Sequence, residues 1–146
     1  VAFPEETETG QALVIAQTDI DNLIRSKGAI FAAIKSLTDY AGLTFNELNK
    51  IYVAGGFGNY LNIDKAVGIG LLPDIPRERI EFIGNSSLMG ARMVLVSSYA
   101  FEKAINISQE ITNIELSHFA PFADEYMAAL YLPHIDKELL FPSVNY

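Results

Sequence analysis

The sequence predicts an α/β domain whose sheet contains at least two parallel neighbours, with all 146 residues in a single domain. Ile51-Tyr52-Val53-Ala54 and Ile80-Glu81-Phe82-Ile83 are short apolar runs rich in β-branched and aromatic residues, as buried strands are. Each run breaks into a turn of small residues: Gly55-Gly56-Phe57-Gly58-Asn59 after the first, Gly84-Asn85-Ser86-Ser87 after the second. Segments of helical periodicity precede, separate and follow the two runs. Right-handed crossovers put both turns at the same edge of the sheet, where open α/β sheets bind ligands.

Pro4 to Gly10 is an acidic turn or hairpin tip, and Leu13-Val14-Ile15 reads as a short strand. Thr18 is expected to cap a long helix that Gly42 ends, with Asp21 reciprocating and Asp19 favouring the positive end of the helix dipole. The apolar stripe of that helix (Ile20, Leu23, Ile24, Phe31, Ile34, Leu37) is interrupted by Lys27-Gly28. A lysine there either meets a bound ligand or snorkels to water beside a glycine that admits a neighbouring element. Thr44-Phe45-Asn46-Glu47 is a capping box, Asn62 caps a brief helix through Ile69, and Pro73 and Pro76 break the chain. Residues 86–105 read as one helix, apolar all round, which implies burial in the core or cover by another subunit. Ser108 is expected to cap a turn before a strand at Ile114–Leu116, and a last helix runs from about Phe122 to Tyr131. The apolar tail from Leu139 onward is expected to pack on the domain or on a partner.

Hydrophobic residues make up 50% of the chain, yet no stretch reaches the roughly 18 apolar positions of a membrane-spanning helix. With no leader pattern either, a cytoplasmic location is expected. The absence of cysteine removes disulfides, thiolate metal sites and iron–sulfur ligation from this chain's own repertoire. His118 and His134 lie too far apart for a local metal motif, and a net charge of −8 disfavours nucleic acid or an anionic membrane as partner. Neither G-x-x-x-x-G-K-[ST] nor G-x-S-x-G occurs, and the turn at 55–58 lacks the G-x-G-x-x-G spacing. A start at Val1 rather than Met reads as an excised piece of a longer polypeptide.

An apolar strand ending in Gly-Gly resembles the adenosine motif of the acetate and sugar kinase, heat-shock cognate and actin superfamily. A wider set of segments resembles the C-terminal part of the reductive activators of corrinoid proteins. These are Gln17 to Ile20, Ile24 to Ile30, Val53 to Leu61, Gly68 to Pro76 and Phe82 to Ala91, which together cover most of residues 13–92. The resemblance implies an actin-like (ribonuclease H-like) ATPase lobe, a mixed sheet with helices on both faces. It implies a parent protein with an N-terminal iron–sulfur domain that uses ATP to drive electrons onto cob(II)amide, restoring cob(I)amide for methyl transfer.

On that resemblance the intact protein takes ATP or ADP with Mg²⁺ and holds an iron–sulfur cluster outside this chain. Its partner is a corrinoid protein or corrinoid-dependent methyltransferase, and a homodimer is left open. By position, Gly55, Gly56 and Phe57 lie against the adenosine, Asn59, Asn85 and Ser86 supply hydrogen bonds, and Lys27 sits near the adenine. The superfamily's phosphate- and Mg²⁺-handling stretches precede the matched segments and have no counterpart here. No catalytic or metal residue is therefore assigned, and the fragment alone is expected to be inactive. Two alternatives stay open: a lobe of an acyl or sugar kinase, and a non-enzymatic dimerisation or interaction module suggested by the apolar 86–105 helix and tail.

Overall fold

The computed structural model describes residues 1–56 and 61–145. Strands β1 (Ile51–Ala54) and β2 (Ile80–Gly84) pair in parallel, and they are the sheet among the described residues. Ile51 faces Ile80, Tyr52 faces Glu81 and Val53 faces Phe82, but Ala54 faces Gly84, so Ile83 is an extra residue taken up in a bulge. Ile51 and Val53 point inward while Tyr52 and Ala54 are exposed, the alternation expected of a strand with one solvated face. On that face Lys50 pairs with Glu81 and stands 5.8 Å from the Tyr52 ring centroid.

Parallel strands need a crossover, and residues 61–79 supply it. It comprises α2 (Ile63–Gly68), then Leu72-Pro73-Asp74-Ile75-Pro76, whose prolines forbid further helix. Asn62 caps α2 as expected, accepting from the Lys65 N–H at 3.0 Å. The Thr44–Glu47 box also forms: the Glu47 carboxylate accepts from the Thr44 N–H at 2.8 Å and from its hydroxyl at 2.7 Å. These bonds hold Glu47 below the usual carboxylate range.

The long helix α1 (Gln17–Tyr40) starts differently from the sequence expectation. Asp19, not Thr18, closes the first turn by accepting from the Ala16 N–H at 2.8 Å, and Asp21 accepts from the Gln17 side chain at 2.9 Å. Gly42, at φ 69°, ends it as expected. Only the middle of its stripe is buried. Phe31 and Ala32 are fully enclosed while Leu23, which precedes the buried stretch from Lys27 to Thr38, and Leu37, which lies between the buried Ser36 and Thr38, are about half exposed. That core joins Phe31 to Val67 of α2, Leu72 and Ile75 of the crossover, Ile80 of β2, and Phe141 and Val144 of the tail.

Four further expectations are corrected. Leu13-Val14-Ile15 is not a strand: Leu13 makes a single antiparallel bridge to Ala2, and all three side chains are exposed. The 86–105 helix is two helices, α3 (Ser86–Val96) and α4 (Ser98–Glu110), because Ser97 turns to extended backbone and caps Ala100. Neither helix buries a residue in this chain's core; they pack on each other. Ile114–Leu116 forms no strand, a 3-10 turn follows at Leu116–His118, and Ser108 spends its hydroxyl on Ile105 O within α4. The last predicted helix is α5 (Ala120–Ala128), and α6 (Lys137–Leu140) follows it in the tail. No described helix is long and apolar enough to cross a membrane.

Candidate functional site

The two glycine turns meet as the topology requires. The Gly55 N–H donates to the Gly84 carbonyl at 2.7 Å, so the ends of β1 and β2 are tied together. Gly55 at φ 109° and Gly84 at φ 64° adopt backbone that side chains disfavour. A methyl group at Gly55, Gly56 or Gly84 would meet nothing within 4 Å among the described residues, which leave the main chain there open to close approach. Asn85 caps α3, its Oδ1 accepting from the Leu88 N–H at 3.0 Å. Ser86 is the exposed first residue of that helix, where unpaired N–H groups and the positive end of the dipole favour an anion. The structure thus brings Gly55, Gly56, Asn85 and Ser86 to one edge. Phe57 and Asn59 lie outside the described residues.

Lys27 is built into the interior. It is completely buried, and its ammonium donates to the carbonyls of Pro133, at 2.7 Å, and Tyr131. Burial lowers its pKa to about 8. Gly28 admits the same stretch of chain: a methyl there would stand 3.2 Å from Ala129 O and 3.3 Å from the Leu130 side chain. Gly28 thus accepts a neighbouring element, as one of the two sequence readings had it, and the lysine is bonded inward rather than snorkelling out. His134 completes the same region. Its Nδ1 accepts from the Asp136 N–H at 3.0 Å, which leaves Nε2 to donate to Glu125 at 3.0 Å, and its ring packs 5.4 Å from Phe31.

A second polar cluster escaped the sequence reading. Asp74 accepts from the Ser143 N–H at 2.7 Å, the Ser143 hydroxyl at 2.6 Å and Arg77 Nη1 at 2.9 Å. Burial opposes the charged carboxylate, but the bonds from Ser143 and then Arg77 outweigh it and hold Asp74 below the usual range. Arg77 also reaches Asp64 at 3.0 Å. A partly open groove of about 340 Å³ lies beside this cluster, between α1, Phe45 and the tail residues Leu139, Leu140 and Pro142, and no described glycine-turn residue lines it. Among the described residues no group of three or more His, Cys, Asp or Glu is placed to hold a metal ion.

Known proteins share this fold. The family described as the C-terminal domain of RACo, the ASKHA domain, matches residues 1–145. The chain belongs to that family. This ASKHA domain is 33% identical over 122 residues to the corrinoid activation enzyme RamQ of Eubacterium limosum, covering 84% of this chain and 21% of the relative. It is 28% identical over 103 residues to the [Co(II) methylated amine-specific corrinoid protein] reductase of Methanosarcina barkeri, covering 70% and 19% respectively. A solved reductive activator for corrinoid, iron–sulfur protein superposes with a TM-score of 0.91 at 43% identity, over 98% of this chain and 23% of that one. The chain therefore spans about a fifth of the length of the relatives it matches. The α/β, actin-like class expected from the sequence is the class of the ASKHA domain.

Proposed function

We propose that this ASKHA domain is the adenosine-binding lobe of an ATP-dependent reductive activator of corrinoid proteins, the C-terminal part of a longer polypeptide. In the intact protein, ATP hydrolysis would be coupled to reduction of cob(II)amide to cob(I)amide for methyl transfer. The observation that carries this is the pair of glycine turns, bonded at 2.7 Å, with no described atom within 4 Å of where a side chain would start at Gly55, Gly56 or Gly84, on a chain whose relatives are named as corrinoid activators. Gly55 and Gly56 would present backbone to the adenosine, with Phe57 as an apolar wall. Asn59, Asn85 and Ser86 would supply polar contacts. Lys27, with its ammonium committed to two interior carbonyls, would contribute indirectly.

ATP bound here supplies phosphoryl-transfer energy; Mg²⁺, the catalytic residues and the iron–sulfur cluster would come from the remainder of the parent. The partner would be a corrinoid protein or a corrinoid-dependent methyltransferase, with a homodimer as a further assembly to test. Neither curated relative is named as a kinase, so the acyl or sugar kinase reading has no comparable support.

Gly56→Val tests the site. The substituted side chain would meet no described residue within 4 Å of its Cβ, so the fold should tolerate it while the adenosine is blocked. In the intact protein, ATP affinity should fall at least about tenfold, equivalent to ~1.4 kcal/mol, and corrinoid-stimulated ATP hydrolysis should fall with it. Unchanged affinity and turnover in the folded variant would remove these glycines from the site.

A further inference from the structure

Lys27 and Gly70 stand outside the glycine turns yet converge on one atom, the carbonyl oxygen of Pro133. Lys27 Nζ donates to it at 2.7 Å. The same oxygen lies 2.1 Å from where a Cβ of residue 70 would be, and Gly70 holds φ 76°. Only a glycine admits that carbonyl. Gly70 also closes the C-terminal end of α2, its N–H donating to Val67 O at 2.9 Å. At the other end of α2 stands its cap Asn62, two positions after the last residue of the 57–60 stretch. A helix of six residues has little stability of its own, so its orientation is set by what its ends and its buried side chains Ala66 and Val67 touch.

We propose that Lys27 is a positioning residue for α2, the helix that follows the glycine turn in the chain. Its ammonium holds the Pro133 carbonyl against Gly70, which fixes α2 and with it the cap Asn62 at its start. The role rests on the nucleotide reading above in its consequence for ATP, though not in its geometry. Such a lysine has to be buried and donating, as Lys27 is. A surface lysine at this point of α1 would leave the carbonyls of Tyr131 and Pro133 without that donor.

Lys27→Met keeps an unbranched stem and removes the donors. In the intact parent protein without nucleotide, amide exchange over residues 61–72 should quicken by at least about tenfold, while that of α4 stays unchanged. KM for ATP should rise at least about tenfold with kcat at saturation within about twofold, because misplacement costs binding and not chemistry. Gly28→Ala, whose methyl presses to 3.2 Å from Ala129 O, should shift both readouts the same way by less, and it decides the matter if Lys27→Met does not fold.

Unchanged exchange over 61–72 in the folded variant overturns the positioning role. So does an equal acceleration across the whole chain, which would be general loss of stability, or a fall in kcat with KM unmoved. Quickened exchange confined to 61–72, in a parent that binds no ATP even unsubstituted, upholds the positioning and removes the nucleotide reading instead.

Discussion

Asp74 sits between Pro73 and Ile75 in a segment that reads as a mere break, yet it receives three hydrogen bonds and anchors the tail through Ser143. Because its folded-state pKa lies below its unfolded value, its charged form stabilises the fold. That contribution is complete above about pH 4 and is lost as pH falls through the folded value. Asp74→Asn should therefore lower the urea midpoint at pH 7 and flatten the acid limb of the stability curve. Equal loss between pH 7 and pH 3, at about the two ends of the carboxylate titration, in both proteins would show that another group is responsible. Lys27-Gly28 illustrates what single residues reveal in advance. The pair was legible as an anomaly in the stripe, but the partners of Lys27 lie 104 and 106 positions away, where no local pattern points.

Elements were legible where their signals are local. The Asn62 and Thr44–Glu47 caps and the Gly42 stop follow from short-range hydrogen bonding and from backbone freedom, and they form as expected. The joint between α3 and α4 was not, because periodicity continues across it and a serine within a helix is ordinary. What ends α3 is competition: the Ser97 hydroxyl accepts from the Ala100 N–H at 3.3 Å, which requires non-helical backbone at Ser97. Ser97→Ala should cost about 1 kcal/mol and speed exchange of the Ala100 amide. Undiminished protection at that amide would mean that packing between the two helices, not the cap, sets the joint. Of the two expectations for this stretch, burial in the core or cover by another subunit, the first is not met: among the described residues α3 and α4 bury nothing in the core and pack on each other.

Over the whole molecule, the parallel pairing and the common edge of the two turns were readable because they follow from topology, which needs only strand order and handedness. The core was half readable. Its share from α1, α2 and the strands has hydrophobic pattern; the apolar tail was expected to pack on the domain or on a partner and packs on the domain, but which of its residues enter the core has no pattern to announce it, since Phe141 and Val144 lie in irregular chain. Phe141 is fully buried, with its ring 5.2 Å from that of Phe31 and 6.4 Å from that of His134. Phe141→Ala should destabilise by about 3–5 kcal/mol through lost burial and the cavity left behind. A chemical denaturation curve that barely moves would mean the tail can detach without opening the core.

Ile83 has no residue opposite it across the sheet. Each position in a parallel strand advances about 3.3 Å, so taking up one extra residue sets β2 back by a full step and brings Gly84 opposite Ala54 rather than Gly55. The bulge works as a spacer that leaves Gly55 one step beyond Gly84, where its N–H meets the Gly84 carbonyl. The offset at this edge is thus a matter of counting residues rather than of which side chains they carry. Swaps of type at position 83 leave the count intact, whereas gaining or losing a single residue of β1, which has no bulge to absorb it, would slide one turn past the other.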